Sequence, residues 1–385
     1  AALTACSPLL IWYSQEARSY ALLVLLSALS LLAFAYALER PTARSLIWWA
    51  IACAAALATH YYAVLVIVPE AIWLLASHWY RRSVQLAFAA VALCGLALIP
   101  LAISQNGTAN SSWIAPIPLR LRLGQVIPQF LIGFQAPAQA VLEPLAAVMA
   151  LLGLALLVLR SDVTARRRAL ALGALAVTGL VLNLALIAGG VDDLITRNVI
   201  ALWLPAALLV AAGLGAHRAG TVGVAATIVL CATGVAAAVG VATDRSFQRP
   251  DWRAVARVLG PRPPAGSPGR AILIQHYRDL LPLSLNLSGL RFMGRPGAEV
   301  SQLDVISISA PRVPLCWWGA ACNLSPSAMQ SSYPIRGFHV QWRRRALQFT
   351  ILRMEASRPV HLTPREVSRA LTTTSMRRDG LLVQR

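Results

Sequence analysis

Lysine is absent from the 385 residues; all 34 basic side chains are arginine. That bias reads as a property of the coding sequence and excludes nothing about function. Acids are scarce as well, with 15 Asp and Glu, so charged residues make up only 13% of the chain. Together with 57% hydrophobic residues and a mean hydropathy of +0.63, this excludes a soluble globular enzyme of ordinary composition. Disorder is excluded by the same balance, since a disordered chain is poor in apolar residues. With 24 Gly and 23 Pro, the chain has nothing of a collagen-like repeat. Cysteine is sparse and shows no metal-ligand spacing. Cys6, Cys53, Cys94 and Cys231 lie in apolar stretches, where a thiol behaves as a small hydrophobe. Cys316 and Cys322 stand apart in a polar region, where export would permit a disulfide without requiring one.

What the chain does have is long apolar runs. A membrane helix needs roughly 20 mostly apolar residues, and eight windows qualify, near 20 to 38, 46 to 60, 63 to 79, 84 to 103, 140 to 159, 169 to 188, 198 to 216 and 220 to 242. Residues 1 to 12 are apolar for about half a span, which reads as the end of a helix that starts upstream. Arginine placement predicts the orientation. One set of short loops carries nine: Arg40, Arg44, Arg81, Arg82, Arg160, Arg166, Arg167, Arg168 and Arg218. The other carries four, Arg18, Arg120, Arg122 and Arg197, in loops that are longer in total. The first set is therefore expected inside, which puts residues 13 to 20, 104 to 139 and 192 to 197 outside. Residues 243 to 385 follow the last span on that outer side.

That tail carries 21 of the arginines against 8 acids and dominates the net charge of +19. Facing outward, it excludes nucleic acid as a partner and points to anionic membrane lipids. Short strands are predicted at 271 to 275, 305 to 309, 339 to 341, 347 to 353 and 381 to 384. A helix is predicted over 251 to 259, and Thr363-Pro-Arg-Glu366 has the form of a capping box opening another. The expected architecture is a polytopic α-helical membrane domain over 1 to 242, then a small extracytoplasmic α/β domain over 243 to 385.

The segment from Ser7 to Tyr20 places Tyr13, Gln15, Glu16, Arg18 and Tyr20 between two apolar stretches on the outer side. Polar groups at that depth cost several kcal/mol on most scales unless paired or solvated. Read by physics alone, the segment is a functional site or a solvated interfacial turn. Glu70, beside Pro69, is the acid that lies well inside an apolar run, as a functional group or a packed one. Tyr13-Ser-Gln-Glu-Ala-Arg-Ser-Tyr20, followed by a long apolar helix and then Thr59-His-Tyr-Tyr62, resembles the GT-C membrane glycosyltransferases of family 39, the protein O-mannosyltransferase and aminoarabinose transferase type. Asp192-Asp-Leu-Ile-Thr-Arg-Asn198 and Arg249-Pro-Asp-Trp-Arg253 extend the resemblance over most of the chain.

The resemblance implies an enzyme that takes a hexose, mannose-like or pentose sugar from a polyprenyl-phosphate carrier and passes it to a lipid, glycan or protein on the outer face of the cytoplasmic membrane. Such transfer needs a base for the acceptor hydroxyl and positive charge for the departing phosphate. The family's base belongs to an acidic pair in the first outer loop, ahead of Ala1, so no residue here is assigned as catalytic and this stretch alone is expected to be inactive. Arg18 and Arg197 are the expected phosphate contacts, with ion pairs to Glu16 and to Asp192 or Asp193 as their alternatives. Tyr13, Gln15, Glu16, Tyr20, His60 and Tyr61 complete the expected donor site, His60 as a hydrogen-bond partner or a metal ligand. Whether a divalent metal takes part is left open, and no metal-ligand set is assigned. A transporter or flippase of lipid-linked glycans is the alternative. It fits less well, because the two halves show no internal repeat.

Overall fold

The computed structural model describes residues 1–106, 114–134, 136–264, 266–274, 279–308, 327–370 and 380–385. Cys316 and Cys322 lie outside the described residues. The chain divides into two compact units, Ala1–Val241 and Ala242–Arg385.

The first unit is helical. It opens with α1 (Ala2–Ala5) and α2 (Pro8–Ser14), so the apolar stretch 1 to 12 is broken at residues 6 and 7. Pro8 has no N–H to continue a helix, and Ser7 restarts one by accepting the Leu10 N–H on its hydroxyl at 3.4 Å. There follow α3 (Tyr20–Glu39), α4 (Ala43–Thr59), α5 (Val64–His78), α6 (Arg82–Asn106), α7 (Leu119–Ile132), α8 (Gln139–Arg160), α9 (Val163–Ala188), α10 (Trp203–Leu214) and α11 (Gly220–Thr243). Each predicted apolar window contains a helix, although the one at 198 to 216 opens in a turn and a 3-10 stretch before Trp203. Among the described residues six, not eight, are long and apolar enough to cross a membrane: Tyr20–Glu39, Tyr61–His78, Arg82–Gln105, Gln139–Arg160, Val163–Ala188 and Gly220–Thr243. Ala43–Thr59 and Ile200–Leu214 are apolar but shorter.

Two close approaches lock the helices. An added Cβ on Gly213 of α10 would lie 1.8 Å from the Gly153 carbonyl oxygen of α8, and one on Gly179 of α9 would lie 2.3 Å from the Leu65 carbonyl of α5. Only glycine permits backbones so near, the usual device where apolar side chains give helices no solvent-driven reason to associate. Buried Leu23, Leu31, Trp49, Leu57, Leu65 and Trp203 belong to the main core. Residues assigned to one side of the membrane meet at one end of the unit. Arg168 pairs with Glu39 at 3.0 Å and His78 reaches the Leu38 carbonyl at 2.9 Å, while Tyr20, His60 and Arg197 gather at the other end.

The second unit is built on one six-stranded mixed sheet, order β2-β6-β1-β3-β5-β4, with β1 (Gly269–Ile274), β2 (Leu290–Phe292), β3 (Ala298–Ile308), β4 (Phe338–Ala346), β5 (Phe349–Leu362) and β6 (Gly380–Gln384). β1 and β3 run parallel, and the other pairs are antiparallel. Successive side chains of β1 point to opposite faces. Ala271 and Leu273 enter one core with Val367 of α14 (Pro364–Ala370). Ile272 and Ile274 enter another with Val255 and Leu259 of α12 (Trp252–Leu259) and Leu283 of α13 (Leu280–Ser284). The capping box forms as read. Glu366 accepts from the Thr363 N–H at 2.9 Å, and the Thr363 hydroxyl accepts from the Glu366 N–H at 3.3 Å.

Between the sheet and α12 lies a buried charge network. Asp304 is fully buried on β3 and accepts from Arg353 Nε at 2.8 Å. Arg353 and Arg270 both donate to the Leu259 carbonyl at the end of α12, each at 2.7 Å, where positive charge complements the helix dipole. Burial pushes the Asp304 carboxyl above its ordinary range, against the opposing pull of Arg353.

Candidate functional site

Three stretches far apart in sequence meet at one end of the helical unit. Tyr13 sits in the last turn of α2 and Tyr20 is the first residue of α3; both are buried, with ring centroids 5.0 Å apart. The turn between them folds back because α2 stops at Ser14 and α3 restarts at Tyr20. Tyr20 packs on the His60 ring at 5.4 Å, and His60 on Tyr62 at 5.7 Å. His60 ends α4 in an extended conformation, and its Nδ1 accepts the Tyr62 N–H at 3.3 Å. In the neutral ring this leaves Nε2 carrying the proton as a donor.

Arg197 brings the positive charge. Its guanidinium lies close enough to Tyr13 and His60 to act electrostatically on both, and the Asp193 carboxylate acts in the same way on the Tyr62 hydroxyl. The loop holding these two residues is fixed from inside. Asn198 donates to the Asp193 carbonyl at 2.6 Å. Arg122, 1% exposed on α7, grips Asp192 with two bonds of 2.6 and 3.0 Å and also reaches the Leu194 and Ile117 carbonyls. Asp192 is thus bound by Arg122.

The other residues singled out in the sequence are less central. Arg18 is largely exposed and stands 3.9 Å from Glu16, at the outer limit of an ion pair. Gln15 is exposed. Tyr61 donates its hydroxyl to Gln105 at 3.1 Å; the ring packed on His60 is that of Tyr62. Sequence reasoning missed Tyr62 and Arg122. A short 3-10 turn, Tyr61–Ala63, sets which of the two tyrosines faces His60, and no periodicity could have told them apart. Glu70 lies outside the cluster. Fully buried in α5, it accepts from Trp49 Nε1 of α4 at 3.0 Å and from the Ser30 hydroxyl of α3 at 3.3 Å, and so ties three helices together.

The same unit contains an apolar groove of about 210 Å3, lined by Cys6, Pro8, Phe130, Trp203, Val210 and Gly234 among others. Trp203 Nε1 donates to the Phe130 carbonyl at 2.9 Å, joining α10 to α7 across it. Among the described residues, no three His, Cys, Asp or Glu side chains converge as a metal site. An aromatic wall with one arginine and an imidazole donor suits a sugar attached to a phosphate. Comparison of the chain with family profiles, with characterised proteins and with solved structures finds no match.

Proposed function

We propose that this chain is a GT-C type glycosyltransferase of the cytoplasmic membrane, using a polyprenyl-phosphate sugar and delivering it to an acceptor on the outer face. The observation that carries the reading is the convergence of Tyr13, Tyr20, His60 and Arg197, drawn from separate motifs of the resemblance, into one cluster. Arg197 then faces the carrier phosphate, with exposed Arg18 as a second contact, and the tyrosine and imidazole edges face the sugar. The apolar groove between α2, α7 and α10 is the place for the proximal isoprenes of the carrier, since a mostly apolar lining accepts hydrocarbon with little polar penalty. The second unit is extracytoplasmic in this reading.

Donor binding tests the proposal without requiring turnover. With the purified chain in nanodiscs and a polyprenyl-phosphate hexose as probe, Arg197→Ala is expected to weaken binding by at least about tenfold, the scale of one charge-assisted contact. Arg18→Ala, more solvated, loses less. Unchanged affinity in both variants sinks the reading. Passage of the intact labelled lipid across proteoliposomes, with no sugar transferred, would favour the flippase alternative.

A further inference from the structure

Four arginines recur every fourth residue just beyond α11: Arg245, Arg249, Arg253 and Arg257. All four are exposed, and they line one hollow of about 560 Å3 within the second unit, together with Gln248, Asp251 and Leu347. We infer that this hollow binds the phosphate of an anionic lipid headgroup.

The arrangement is set by packing. α12 buries Val255 and Leu259 against the sheet, which turns Arg253 and Arg257, one helical turn apart, to its opposite face. Asp251 is the acid lining the hollow, and its Oδ1 is committed to capping α12, accepting the Ala254 N–H at 2.9 Å. Like charges concentrated round one concavity repel each other and focus a positive potential into it. A phosphate relieves the repulsion, and guanidinium forks match its oxygens bidentately.

The floor of the hollow is fixed. Gln348, 1% exposed at the β4–β5 turn, donates to the Arg245 carbonyl at 2.7 Å. The residue before it, Leu347, is held at φ 52°, a left-handed conformation that is rare for leucine, and is 45% exposed at the hollow's edge. An exposed leucine beside four arginines favours a lipid over a free anion, since it gives the glycerol and first methylenes an apolar contact. Arg245 also lies two residues past the end of α11, within about 7 Å of chain from the membrane boundary. The inference depends on α11 spanning the membrane and not on glycosyl transfer.

The test uses the full chain in a neutral maltoside detergent, titrated with dioctanoyl phosphatidylglycerol, dioctanoyl phosphatidylcholine or inorganic phosphate and read by thermophoresis. Arg253→Gln/Arg257→Gln is expected to lose about tenfold or more in phosphatidylglycerol affinity. Arg291→Gln/Arg295→Gln, which removes the same charge elsewhere on the unit, is expected to lose nothing. Because all these side chains are exposed, melting should match the parent chain. Leu347→Gly, which suits the positive φ, should weaken the lipid and leave inorganic phosphate unaffected. Equal losses from both arginine pairs would overturn the site, showing only diffuse charge. Phosphatidylglycerol binding no tighter than phosphatidylcholine or inorganic phosphate would overturn the lipid assignment.

Discussion

At the scale of single residues, the charges inside the helical unit act through what they hold in place. Arg122 is buried with a bidentate hold on Asp192 and two carbonyls. Removing one partner of such a pair strands the other, so Arg122→Ala is expected to cost about 3 kcal/mol, read as a lower midpoint of thermal unfolding in detergent. Arg122→Lys should recover only part, since an ammonium cannot form the fork. The 192–194 loop would also loosen, and donor affinity should fall although Arg122 lines no part of the aromatic cluster. Glu70 separates hydrogen bonding from charge. Glu70→Gln keeps an acceptor for Trp49 and is expected to be well tolerated. Glu70→Leu leaves the indole N–H without its acceptor and should cost about 1 to 3 kcal/mol by the same measurement. Equal melting of the Gln and Leu variants would show that the carboxyl carries no structural bond. Tyr13, Tyr20, His60 and Arg197 were legible as candidates because polar groups at helix ends stand out against apolar runs. The Arg122 to Asp192 pair was not, because its members lie 70 positions apart and nothing local marks either as buried.

Among elements, legibility follows how much of the signal is local. The eight apolar helices could be read from hydropathy alone, because in lipid each helix satisfies its own backbone hydrogen bonds. The strands β1, β3, β5 and β6 could be read because their buried runs are β-branched or aliphatic. β2, three residues with its Leu290 and Phe292 partly or largely exposed, owes its existence to pairing with β6 and left no pattern to read. Helix α7 lies in the 104 to 139 segment, which the sequence marks only as an outer loop; its buried positions, Arg122, Val126, Gln129 and Ile132, mix polar with apolar and so hide the amphipathic stripe. Helix contacts give a sharp comparison. Gly213→Ala drives a methyl to within 1.8 Å of a backbone oxygen that cannot step aside, and overpacking of that kind is expected to cost about 3 kcal/mol or more. Gly124→Ala on α7 meets nothing within 4 Å and should stabilise by up to about 1 kcal/mol through helix propensity. Comparable melting of the two variants would contradict the close α8–α10 approach.

For the whole molecule, orientation is the property on which glycosyl transfer at the outer face depends. The sequence sorts nine arginines to one set of loops and four to the other, and the fold sends the corresponding helix termini to opposite ends, with Glu39 and Arg168 joined at one and His60 and Arg197 at the other. If the arginine-rich end is cytoplasmic, the aromatic cluster lies at the outer end, and the alternation of spans in the sequence predicts residues 243 to 385 outside as well. The prediction is direct. In a chain whose six cysteines are replaced by alanine or serine, a single cysteine at Arg291 should react with a membrane-impermeant maleimide in intact cells. One at Arg44 should react only after permeabilisation. Reversed labelling would place the aromatic cluster and the arginine hollow in the cytoplasm, where an outer-face acceptor cannot reach the first. The hollow would then meet inner-leaflet headgroups instead of outer ones. Labelling therefore decides the two proposals differently, since glycosyl transfer on the outer face falls with an inverted chain, whereas headgroup binding by Arg253 and Arg257 survives with only its leaflet changed.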